Sequence, residues 1–241
     1  MIGIPLTLTI RRSPESMGLL PDGDMPLSHP SDNDGSVHRV KSEREVTLAE
    51  ALRSFAFWGS VMAAGIRNAS YHAIGVHFVP LMVWKGLSQS EAALLLSVYA
   101  FLGMALTLIL GWFADKANKP RLTAFILFAA AGAMFLPIAG DSLWSLCLFT
   151  IFFAAVETTF PLGWALVGDL FGRKHYAQIR GYMTMFYTWG GVIGPVVAGA
   201  IFDRWKTYEP LLWSLVIVYI VAGLFFASLN RSWLKATGQL G

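Results

Sequence analysis

The chain has 241 residues, 55% of them hydrophobic and 14% charged, with a mean hydropathy of +0.55, which excludes an ordinary water-soluble surface and points to a membrane protein. The net charge is +3, but the basic residues sit at the ends of apolar runs rather than in one patch, which excludes a nucleic-acid partner. The single cysteine, Cys147, lies inside an apolar run, so there is neither a disulfide framework nor a zinc spacing.

Residues 1–53 precede the first long apolar run. They open with MIGIPLTLTI, followed by Arg11 and Arg12, a turn-rich stretch with too little apolar surface to fold alone, and a charged approach ending at Arg53. The opening segment is not a secretory signal, because its positive charges follow the apolar residues, and it is too short to span a bilayer.

Six apolar segments follow, at 55–83, 89–113, 121–140, 143–169, 179–203 and 210–229. Each is about long enough to cross a ~30 Å hydrocarbon core as an α-helix, and they are numbered here as the first to sixth spans. Residues 54–230 are therefore expected to form one six-helix transmembrane bundle, and 231–241 a tail. Lysine and arginine gather before Ser54, around Lys116, Lys119 and Arg121, at Arg173, Lys174 and Arg180, and at Arg231 and Lys235; the opposite side has Lys85, Arg204 and Lys206. The positive-inside rule then places both termini in the cytoplasm, as an even number of spans requires.

The first span carries Arg67 and Asn68 near its midpoint, in AAGIRNASYHAIGVH. An arginine at that depth costs about 2.5 to 3.5 kcal/mol on insertion scales, so it must face protein or a wet cavity. Tyr71 shares its face at four residues' distance, whereas His72 and His77 point elsewhere. The fourth span holds the other mid-membrane charge, Glu157, followed by Thr158 and Pro161. Pro161 cannot donate to the carbonyl of Glu157, so the helix should bend there and leave an acceptor that only protein or water can satisfy. Three roles are open to Glu157: a proton carrier, a counter-ion to Arg67 facing the solute, or its structural salt-bridge partner. For His72, His77 and Thr158, packing or hydrogen bonding is the favoured role, and no metal-ligand spacing joins the histidines to a carboxylate or thiol. In the fifth span Gly190, Gly194 and Ala198 form a small-residue stripe for close helix approach, beside Pro195, where the helix can flex. Trp58, Trp84, Trp144, Trp205 and Trp213 fall near span ends, as interfacial anchors do.

An internal repeat organises the spans. GWFADK closes the second span at Gly111–Lys116 and GAIFDR closes the fifth at Gly199–Arg204, both G-x-x-x-D-[KR]. Their equivalent positions in two sets of three helices, exiting on opposite faces, are the pattern of inverted three-helix repeats.

The loop GWFADKANKPRL resembles the cytoplasmic loop motif of the major facilitator superfamily, with Gly111, Asp115, Lys116 and Lys119 matching, Arg121 following, and Asn118 in place of the second glycine, tolerated because asparagine also reaches left-handed conformations. The stretches IRRSPESMGLLPDG, DLFGRKHYAQIRGYM and GGVIGPVVAGAIFD resemble segments of bacterial carriers of the monocarboxylate and oxalate/formate type. The resemblance implies an all-α integral membrane fold, half of a major facilitator fold, whose six spans are the seventh to twelfth helices of a twelve-helix protein. Residues 2–10 would then be the last turns of a sixth helix, and the segment from Arg11 the start of a cytoplasmic central loop. The seventh and tenth helices of this superfamily line its cavity, which implies that Arg67 and Glu157 lie near each other. The motif loop implies a gate in which Asp115, near cations and helix N-termini, forms a charge–dipole latch.

The function implied is a secondary carrier, symporter or antiporter, in the bacterial inner membrane, moving a small solute by alternating access without a cofactor. Carboxylate-specialised relatives carry a basic residue in the eighth or eleventh helix, and the interiors of the second and fifth spans here have none, so Arg67 alone favours an anion. The rival is a non-transporting remnant, or a subunit that needs a separate N-terminal half. An enzyme is excluded by the lack of H-E-x-x-H, G-x-S-x-G, a phosphate-binding glycine loop or paired membrane aspartates.

Overall fold

The computed structural model describes residues 46–230, all helical apart from short turns. A short helix, α1 (Leu48–Leu52), starts at a capping box in which Thr47 and Glu50 satisfy each other's backbone N–H groups. Then come α2 (Phe55–Trp84), α3 (Gln89–Lys116), α4 (Lys119–Ala133), α5 (Phe135–Ala139), α6 (Leu143–Ala155), a 3-10 turn at Val156–Thr158, α7 (Thr159–Phe171), α8 (Tyr176–Trp205) and α9 (Glu209–Ser228). The six expected spans are thus α2, α3, α4 with α5, α6 with α7, α8 and α9. The expected helix end at residues 2–10, the loop after it and the tail at 231–241 lie outside the described residues.

Polar residues at the turns set the helix starts. Ser54, Ser88, Asn118 and Ser142 each accept a backbone N–H from the first turn of the following helix. Gly172 (φ 79°) ends α7 and Lys206 (φ 54°) ends α8, the latter an αL cap on a non-glycine residue.

Several span limits differ from expectation. The second span runs on to Lys116, so the motif aspartate lies within the helix rather than in a loop. The third starts at Lys119 because Asn118 caps it and Pro120 occupies a first-turn position where its missing N–H is harmless. Asn118 is extended there (φ −71°, ψ 103°), so it replaces glycine as an N-cap, not as a left-handed residue. The third span is interrupted at Met134. Among the described residues, five helical stretches are long and apolar enough to cross a membrane; α2, although 30 residues long, falls outside that group. Its polar load, Arg67, Asn68, Tyr71, His72 and His77, is the reason, and such a helix spans only when neighbours shield it.

Arg67 and Asn68 are shielded in this way, whereas His72 is exposed. The most extensive helix packing is α2 against α8, and a methyl group added at Gly190 or Gly194 would fall on the carbonyl oxygen of Gly65 or Ala69. Two backbones therefore touch directly, which only the absence of side chains at those positions allows. The repeat-related contact is α3 against the fourth span, where Gly103 faces Glu157; Gly103 and Gly191 stand 88 residues apart, as Gly111 and Gly199 do. The third and sixth spans, α4 and α9, pair with each other. First with fifth, fourth with second, third with sixth: this is the pairing that two inverted triplets produce.

Candidate functional site

The fourth span breaks where Pro161 requires it. Between α6 and α7 the chain makes a single 3-10 turn at Val156–Thr158. The carbonyls released there find donors in Arg67 of α2. Its Nε donates to Thr159 Oγ1 at 2.9 Å and its Nη2 to the carbonyl of Val156 at 3.0 Å, with the carbonyl of Glu157 at 3.5 Å. Thr159 in turn donates to the carbonyl of Val156. One guanidinium thus joins the first span to the break in the fourth.

Arg67 is 7% exposed, and its guanidinium stacks at 5.0 Å over Tyr71 and 5.6 Å over Phe160. Among the described residues it forms no ion pair. The Glu157 carboxylate turns toward α3 instead, so that a methyl group on Gly103 would come within 2.6 Å of its Oε2. The titratable groups surrounding the guanidinium are Tyr71, Tyr99, Tyr219 and Glu157. Among the described residues the buried hydroxyls of Tyr99 and Tyr219 have no hydrogen-bond partner, and the Tyr99 ring stacks with Phe78 and Phe153, the latter in turn with Phe149. Nη1 has no acceptor among the described residues.

Arg67, Asn68, Tyr71, His72, Thr107, Glu157, Phe160 and Pro161 line one cavity of about 440 Å³. Four of the five sequence candidates, Arg67, Asn68, Tyr71 and Glu157, meet there. Thr158 does not line it: it is fully buried, with its hydroxyl 3.5 Å from that of Thr107. Asn68 reaches across to the carbonyl of Tyr187 in α8 at 3.4 Å. His72 lines the cavity although helical spacing from Arg67 suggested another face, and its ring lies close to Gly191 of α8. His77 packs as expected: Nδ1 pairs with the Tyr208 hydroxyl at 3.0 Å and Nε2 with the carbonyl of Pro195 at 3.2 Å. A carbonyl only accepts, so Nε2 carries the hydrogen. A smaller cavity of about 50 Å³, lined by Ser60, Thr159 and Trp164, shares Arg67 and Phe160 with the first.

Thr159, Thr107, Tyr99 and Gly103 were not singled out from sequence. The repeat held a signal for Gly103, since it matches Gly191, whose added methyl would meet Asn68 as that of Gly103 meets Glu157.

At the motif loop, Lys119 pairs with Asp169 at 2.7 Å, joining the start of the third span to the end of the fourth. Asn118 donates to Asn230 at 2.8 Å. Lys116 sits 4.1 Å over the ring of Trp112. Asp115 is exposed and makes no ion pair among the described residues, Gly111 faces open space, and Arg121 is exposed. The ion pair at this end among the described residues belongs to Lys119 rather than to Asp115.

Apolar helices in two inverted triplets, around a mid-span cavity of polar side chains, define a polytopic α-helical membrane protein of the inverted-repeat class. Its sequence matches the Major Facilitator Superfamily over residues 33–238, and the chain belongs to that family. It is 25% identical to monocarboxylate transporter 2 of Mesocricetus auratus over 210 residues, 81% of this chain and 43% of that protein. To monocarboxylate transporter 1 of Bos taurus it is 30% identical over 153 residues, 58% and 29% of the two chains. Human monocarboxylate transporter 11 is 25% identical over 60% of this chain and 33% of its own length. The chain spans less than half the length of these relatives.

Proposed function

We propose that this chain is one six-helix bundle of a secondary carrier for a small anionic solute of the monocarboxylate kind, moved by alternating access around the Arg67 cavity. The observation that carries the reading is a buried guanidinium that, among the described residues, has no ion-pair partner and no acceptor for Nη1. A carboxylate entering the 440 Å³ cavity supplies the missing charge through a charge-assisted hydrogen bond. The names of the relatives support the same solute class. The Glu157 carboxylate lies beside Tyr71 and Gly103 and forms no ion pair with Arg67 among the described residues, an arrangement that favours proton carriage over a permanent pair with Arg67. Lys119, Lys116, Asp115, Gly111 and Arg121 form the gate at one end, Pro161 marks a hinge in the fourth span, and Pro195 one in the fifth, beside the packing glycines Gly190 and Gly194. The distribution of lysine and arginine supports an orientation with both termini cytoplasmic.

The test is uptake of labelled small monocarboxylates into vesicles carrying the full chain, alone and with a separately expressed N-terminal six-helix bundle. Saturable uptake lost in Arg67→Ala supports the reading; normal flux in that variant removes Arg67 from the site. Uptake that needs the second bundle favours a split carrier, the second reading, because alternating access rocks two bundles against each other and the described residues form one. PH-dependent uptake that is unchanged in Glu157→Gln excludes proton coupling through Glu157.

A further inference from the structure

An apolar groove of about 690 Å³ runs between α3, α4 and α6 and shares no lining residue with the Arg67 cavity. Leu106, Leu110 and Ile126 lie along it, and Trp112 and Phe125, 63% and 70% exposed, stand at its sides. Within a bilayer such a surface is covered by hydrocarbon or by another helix. The charges at its mouth decide which. Arg121 lines the groove where α3 turns into α4, and its guanidinium makes no ion pair or hydrogen bond among the described residues. Lys116 lies over Trp112, which also lines the groove. Asp115, the neighbouring carboxylate on α3, forms no ion pair with either cation among the described residues.

We propose that this groove is a binding site for an anionic phospholipid, with an acyl chain against Leu106, Leu110 and Ile126 and the phosphate between Lys116 and Arg121. A protein helix laid in the groove would cover two cations without supplying an acid. A phospholipid meets both demands, since its tail matches the apolar floor and its phosphate matches the planar donor fork of arginine. The span end is also the depth at which a headgroup lies. The inference rests on the membrane setting and is independent of the solute assigned to the Arg67 cavity.

The experiment uses the full chain in phosphatidylcholine vesicles containing a minor fraction of phosphatidylglycerol, with bromine on the acyl chains of one lipid or the other. Bromine quenches nearby tryptophan, and the signal of Trp112 is the difference between the wild type and Trp112→Phe. At equal bromine content, brominated phosphatidylglycerol is expected to quench Trp112 more than brominated phosphatidylcholine. The preference should fall roughly fivefold for each cation removed in Lys116→Gln, Arg121→Gln and the double variant. Quenching by phosphatidylcholine should stay the same in those variants, which shows that the groove is intact. Equal quenching by the two lipids, or a preference that survives in the double variant, overturns the proposal. Quenching by neither lipid means that protein covers the groove, and overturns it as well.

Discussion

Replacing Arg67 with methionine separates a ligand-binding arginine from a structural clamp. The side chain makes two well-formed hydrogen bonds, at 2.9 and 3.0 Å, and a weaker one at 3.5 Å. Hydrogen bonds between transmembrane helices average about 0.6 kcal/mol and reach about 1.7, so losing the two good ones costs roughly 1 to 3 kcal/mol. Against this stands the cost of keeping a guanidinium at mid-span, about 2.5 to 3.5 kcal/mol, with no ion pair among the described residues to offset it. Methionine restores most of the buried volume, and Thr159 still donates to the carbonyl of Val156. The two effects nearly cancel with a margin toward stability, so Arg67→Met is expected to be within about 1 kcal/mol of wild type or more stable, while losing solute uptake. Reversible unfolding in mixed micelles, followed by circular dichroism, measures the first quantity, and vesicle uptake measures the second. Arg67→Met destabilised by more than about 3 kcal/mol would falsify the argument, because the arginine would then be needed to hold the break in the fourth span together.

Other outcomes follow from packing and topology. Gly194→Ala and Gly199→Ala sit on one helix and gain the same helix propensity, but the added methyl falls on Ala69 in the first case and lies 3.7 Å from His77 in the second. Gly194→Ala should be less stable than Gly199→Ala by about 1 to 3 kcal/mol in the same unfolding assay, and equal stability would mean that α2 and α8 are not in backbone contact. Cysteines placed at Lys85 and at Lys119 should react with an impermeant thiol reagent from opposite sides of the membrane, in a chain whose Cys147 has been replaced by alanine. Labelling of both from one side would refute the alternation of spans.

Much of the architecture was legible because membrane insertion leaves few options. A backbone in hydrocarbon must satisfy its own polar groups, so an apolar stretch of sufficient length becomes a helix, and its limits are written in the nearest serine, asparagine, proline or glycine. Helix starts at Ser54, Ser88 and Ser142 follow that rule. The repeat between Gly111–Lys116 and Gly199–Arg204 likewise announced two triplets. The break at Pro161 was readable because the missing N–H of proline identifies which carbonyl is left without a donor.

What one helix's periodicity could not give was the partner across the gap. Arg67 and Glu157 stood out as a mid-membrane pair of opposite charge, and a salt bridge was among the roles open to them. In the fold, the guanidinium turns to the backbone carbonyls at the Pro161 break, and the carboxylate turns to the space beside Gly103. That choice depends on the distance between α2 and the 3-10 turn and on a glycine in a third helix, neither of which is local. The same holds for Asp115, which the motif marks as a latch but which stands exposed, while Lys119 pairs with Asp169 about fifty residues away. By itself the sequence determined that the chain crosses a membrane as helices in two related triplets, since hydropathy, capping and proline chemistry act over a few residues. Only the tertiary structure decided which side chains meet at the cavity, because burial at mid-span is set by how closely glycine-bearing helices approach, and that distance is a property of helix pairs.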